Sequence, residues 1–102
     1  MKEIFIIGSA IDLAFDFQDM LFVDLDLIEV TIAQQETAVL TYSKAAGTVV
    51  SGTIPTYAYL TIPASDSAGL NCGDFEVQIK YVYDGSEPYI VKVVGGTMVD
   101  GY

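Results

Sequence analysis

Apolar and polar residues alternate along this chain with a period of two, and nowhere with the period of a long amphipathic helix. From Phe75 to Tyr83 the odd positions are Phe75, Val77, Ile79, Tyr81 and Tyr83, separated by Glu76, Gln78, Lys80 and Val82. From Ile11 to Phe17 they are Ile11, Leu13, Phe15 and Phe17, with Asp12, Ala14 and Asp16 between. A strand turns successive side chains to opposite faces, so these runs predict strands with one face in a core and one in water. Shorter runs of the same kind are Ile28 to Ile32, Ala38 to Tyr42 and Tyr57 to Ile62, and Ile4 to Ile7 reads as an opening strand. The last run, Tyr89 to Val94, is apolar at both parities and predicts a strand that is central or that meets a partner.

Turn chemistry separates the runs. Lys44 to Gly47 and Asp84-Gly85-Ser86-Glu87-Pro88 read as loops, the second of them a hairpin connection between two strong strands. Asn71 to Asp74 reads as a tight turn into the strand at Phe75. Pro63 to Leu70 has room for one helical turn closed by Gly69, and Gln18 to Asp26 fits either a bulged strand or a loop. The chain has 102 residues, which predicts one domain over 1–102. About seven short strands in that length predict an all-β, antiparallel sandwich, with a small β-barrel as the second choice. Phe15, Phe17, Phe75, Val77 and Ile79 are its expected core.

Composition narrows function mainly by exclusion. Hydrophobic residues make up 52% of the chain and charged residues 18%, a balance that folds rather than staying disordered. Lys and Arg total 4 against 14 Asp and Glu, for a net charge of −10. Such a chain is repelled by nucleic acid and by anionic lipid, so neither is an expected partner. Without His, no Ser-His-Asp or Cys-His arrangement can form within the chain, and the commonest acid–base group near neutral pH is absent. We therefore expect no enzyme, no catalytic residue and no cofactor. Cys72, the one cysteine, cannot form an intrachain disulfide and reads as a small, part-buried hydrophobe near a turn. The longest apolar runs span only a few residues, so no signal peptide or membrane-spanning segment is expected, and synthesis in a cytoplasm is.

Two residue classes remain as candidates for binding. Asp12, Asp16, Asp19, Asp24, Asp26 and Glu29 crowd the first third of the chain, and loop carboxylates are the ligands of hard cations. Their spacing lacks the order of a calcium-binding loop, and a solvated strand face that discourages stray pairing explains them as well, so no metal ligand is assigned. The chain also carries seven tyrosines. Tyr57, Tyr59 and Tyr89 are candidate partner contacts, because tyrosine brings rigid amphipathic area to interfaces. β propensity alone also accounts for tyrosines in strands. Ile90 and Val94 join the candidates, since one face of the last strand packs inward and these two fall on the other.

The C-terminal half reads Leu60-Thr61-Ile62-Pro63, then Asp66-Ser67-Ala68-Gly69-Leu70-Asn71-Cys72-Gly73-Asp74-Phe75-Glu76-Val77-Gln78-Ile79. It continues through Tyr83-Asp84-Gly85 to Val94-Gly95-Gly96-Thr97-Met98-Val99. This resembles the immunoglobulin-like domain of phage baseplate upper proteins and related tail or head-fibre components. The opening, Ile11 to Phe17 followed by Asp24-Leu25 and a strand ending near Gln34, is similar too. One departure is Phe75, which stands where the family usually has an aromatic hydroxyl, so a tyrosine-corner hydrogen bond cannot form there. The resemblance implies an immunoglobulin-like sandwich and a phage or prophage virion protein. Such a protein is made in the host cytoplasm and holds other virion proteins, or copies of itself, through its surfaces. The alternative on the same scaffold is a bacterial module binding carbohydrate or calcium.

Overall fold

The fold is described from a computed structural model covering residues 3–83, 85 and 87–100, with the side chain of Val94 excepted. Asp84 and Ser86 of the expected hairpin loop therefore lie outside the described residues. In chain order the elements are β1 (Ile4–Ile6), β2 (Ile11–Asp16), a 3-10 turn (Phe22–Asp24), β3 (Leu25–Gln34), β4 (Thr37–Ser43) and β5 (Val49–Ser51). There follow β6 (Tyr57–Ile62), α1 (Ala64–Ser67), β7 (Gly73–Tyr83) and β8 (Tyr89–Val99).

These form two facing sheets, one of five strands in the order β1-β8-β7-β3-β4 and one of three in the order β2-β6-β5. The connectivity is that of an immunoglobulin sandwich, with β2, β6 and β5 as strands B, E and D and β3, β7 and β8 as C, F and G. Two details refine the expectation of about seven antiparallel strands. Among the described residues there are eight, because Val49–Ser51 pairs with β6 and is too short to show alternation. β1 also runs parallel to β8, Ile4 opposite Thr97 and Ile6 opposite Val99. A parallel pair needs a long connection, and here the whole domain lies between the two strands.

Alternation explains the core. Ile28, Val30 and Ile32 of β3, Phe75, Val77 and Ile79 of β7, and Ala58, Leu60 and Ile62 of β6 all point inward and are buried. Each large side chain among them contributes roughly 1.5–3 kcal/mol on burial. A bulge between Leu25 and Leu27 shifts the parity of β3, which lets Leu25 and Ile28 face the same core. A second bulge lies in β8, where Phe75 pairs with Gly96 and Glu76 with Val94, leaving Gly95 as the extra residue. A side chain at Gly95 would collide with the rings and methyls of Phe75 and Val77. Of the five expected core residues, Phe17, Phe75, Val77 and Ile79 are buried, but Phe15 is only half-buried. It sits on the edge strand of the narrower sheet, where the facing layer is incomplete.

The corner between β6 and β7 is closed by polar contacts in place of the absent tyrosine-corner bond. Tyr42 donates from β4 to Asp66 Oδ2 at 2.8 Å. Ser67, fully buried, donates to the Ser9 carbonyl at 2.6 Å and accepts from the Gly8 N–H at 3.1 Å. The Gln34 amide bonds both backbone groups of Asn71, at 2.8 and 2.9 Å. Every buried polar side chain among the described residues has a partner.

Candidate protein-contact surface

The two sheets differ in width by two strands, about 10 Å at the usual strand spacing. The larger sheet therefore overhangs the smaller. At the β4 edge α1 lies against the buried Tyr42, which bonds Asp66. At the β8 edge the overhang is covered only in part. β1 lies beside Thr97–Val99, and its Phe5 packs on Phe75 with ring centroids 5.8 Å apart. Beyond that point, no described strand pairs with the outer edge of β8.

The uncovered half of β8 carries exposed apolar side chains on both faces. Tyr89 is 52% exposed, Ile90 57%, Val91 42% and Val93 46%. Their register with β7 sorts them into two surfaces. Tyr89, Val91 and Val93 pair with Tyr81, Ile79 and Val77 and so share the inward face. Ile90 and Lys92 pair with Lys80 and Gln78 on the outward face. Because the smaller sheet stops at β2, the inward face opens into a groove of about 460 Å³ lined by Phe15, Met20, Ile79, Tyr81, Val91 and Val93. Asp16 carries the one charge among the described residues that line it. At one end the rings of Phe17, Tyr81 and Tyr89 form a ladder. Phe17 meets Tyr81 edge-on at 5.2 Å, and Tyr81 stacks on Tyr89 at 5.3 Å.

The candidate contacts named from sequence fall in separate places. Tyr89 and Ile90 belong to the β8 surface, on its opposite faces. Val94 is placed there by its backbone pairing, but its side chain lies outside the described residues. Tyr57 and Tyr59 are half-buried on the outer face of the other sheet, their rings 6.0 Å apart. Their register with Asp16 and Ala14 turns them away from the core and from β8 alike. Phe15 of the expected core, and Val91 and Val93 on the inward face of β8, are left partly uncovered, since alternation gives which face a side chain takes but not whether a second layer reaches it. The ambiguous stretch from Gln18 to Asp26 does not cover Ile90. Its start lies on the opposite, inward side, where Gln18 and Met20 line the groove, and the rest is held by Phe22 N–H to Pro55 O at 2.9 Å and by Lys44 Nζ bonding the Phe22 and Leu25 carbonyls.

The carboxylates of the first third are dispersed. Asp12 accepts from Thr61 Oγ1 at 2.6 Å, Asp16 from the Gln18 N–H at 2.7 Å and Asp26 from the Gly85 N–H at 3.0 Å. Among the described residues, no three acidic, His or Cys groups converge as a metal site. Cys72 is exposed, a correction of its expected part-burial, because it lies in the turn before the inward-facing positions of β7 begin. No described helix is long and apolar enough to cross a membrane. Compared with known proteins, the chain matches no family model, and neither a curated protein nor a solved structure shows significant similarity to it.

Proposed function

We propose that the protein is a phage or prophage virion structural or accessory protein, acting through protein–protein contacts in a tail, baseplate or head-fibre assembly. The observation that carries this reading is the half-uncovered β8, with Tyr89, Ile90, Val91 and Val93 all exposed along one continuous strand. Exposed apolar area of this kind on a small domain of net charge −10 is typical of a contact surface. The resemblance of the Leu60–Val99 stretch to phage immunoglobulin-like domains supplies the setting. On this reading the role requires no catalysis, the chain is made in the host cytoplasm, and its partners are other virion proteins or copies of itself. The test is quantitative mass spectrometry of gradient-purified particles from a strain carrying the gene. The chain should be present in a fixed ratio to the known particle proteins. Its absence from particles, with the soluble chain abundant in the same lysate, would refute the reading.

A further inference from the structure

We infer that the groove beside β2 takes an extended segment of a partner protein, apolar and basic at alternate positions, which adds to the smaller sheet as a fourth strand. The inference rests on the contact role proposed above and names the chemistry of the partner. Three observations point to it. First, β2 is an edge strand: β6 pairs along one side, and no described strand pairs along the other. Its outer backbone groups are a template for one more strand. Second, the space such a strand would occupy lies over the inward face of β8, where the groove of about 460 Å³ exposes Val91 and Val93. Side chains on one face of the added strand would fill it and complete the layer that leaves Phe15 half-buried. Third, the side chains on its other face would stand beside the outward residues of β2, which are Asp12, Ala14 and Asp16, all exposed. Opposite charges across neighbouring strands are favourable and like charges are not, so these positions select Lys or Arg. The net charge of −10 draws a basic segment toward the domain and keeps a second copy away.

A six-residue acetylated and amidated peptide alternating valine and lysine is a direct probe, titrated into the isotope-labelled protein by NMR. Saturable shifts should appear at Leu13 to Phe17, Val91 and Val93, and the affinity should fall with salt. A peptide of the same composition with its three valines followed by three lysines should bind about tenfold more weakly, as should the alternating peptide toward the Asp12→Lys, Asp16→Lys double variant. Both changed positions are exposed, and the variant's own spectrum reports that it is folded. Equal binding of the two peptides, shifts centred elsewhere, or unaltered binding to the double variant would overturn the inference. So would concentration-dependent shifts at the same residues in the protein alone, which would give the groove to a second copy. A chain that enters particles yet ignores the peptide keeps its structural role and loses this inference, whereas one that binds the peptide yet is absent from particles loses the role.

Discussion

The hydroxyl of Tyr42 on β4 donates a 2.8 Å hydrogen bond to the Asp66 carboxylate in α1, tying an edge of the large sheet to the corner that leads into β7. In an immunoglobulin sandwich this corner is often closed by a tyrosine of strand F. Here Phe75 fills the core instead, and the closing hydroxyl comes from β4, at the edge of the same sheet. Burial first, and then the neighbouring Asp66, push the Tyr42 pKa upward.

That shift sets a pH dependence with a definite sign. The folded protein holds the Tyr42 proton to higher pH than the unfolded chain, in which tyrosine ionises near pH ~10. The stabilisation is therefore complete below about pH 10 and is lost as pH rises toward and through the folded-state value. Tyr42→Phe should lower stability by about 1–2 kcal/mol at neutral pH, since a bond to a charged but partly solvated acceptor is removed. Urea midpoints measured from pH 8 upward should fall more steeply for the wild type than for the variant.

Phe75 and Gly95 form a matched pair across the β8 bulge. Phe75→Ala should cost roughly 3–5 kcal/mol, the range for emptying a buried aromatic site. Gly95→Ala should cost about 1–3 kcal/mol for the opposite reason, since the added methyl is driven into the Phe75 ring. Chemical denaturation of both variants checks this. A Gly95→Ala protein as stable as wild type would show that the ring is free to move aside.

The hairpin joining β3 and β4 turns through Gln35 and Glu36, with φ of 51° and 64°. Two successive positive φ values belong to a tight type I′ turn, for which Asn-Gly is the favoured sequence. The Gln35→Asn, Glu36→Gly double variant should therefore raise stability by about 0.5–1 kcal/mol, read as a higher thermal midpoint.

The same turn shows what the sequence left hidden. Gln-Glu carries no turn signal, so the hairpin was invisible although both of its strands were legible from alternation at Ile28 to Ile32 and Ala38 to Tyr42. The inward positions Phe75, Val77 and Ile79 were legible because both the pattern and the length of β7 are strong. Phe15 shares that pattern and is yet half-buried, as burial depends on the width of the opposite sheet. The groove was illegible for the same reason: Val91 and Val93 look like core residues until three strands are seen facing five.

The dispersal of the acidic residues predicts indifference to divalent cations. Asp12, Asp16 and Asp26 accept from Thr61, Gln18 and Gly85, in three separate parts of the chain, and none shares a hydrogen-bond partner with another. Millimolar calcium should leave the melting temperature of the protein as it is in EDTA. A rise of several degrees would reveal a site, because a ligand that binds only the native state must stabilise it.

The claim that β8 is a contact surface is tested most directly by placing a charge on it and weighing what the particle retains. Ile90 is exposed on the outward face, so Ile90→Asp should leave the thermal midpoint of the isolated protein within a degree or two of wild type. Thr41→Asp, on the exposed outer face of β4, serves as the control. In gradient-purified particles, the Ile90→Asp chain should fall to a small fraction of the wild-type amount while Thr41→Asp is retained. Ile90→Asp chains present at the wild-type ratio would contradict the account.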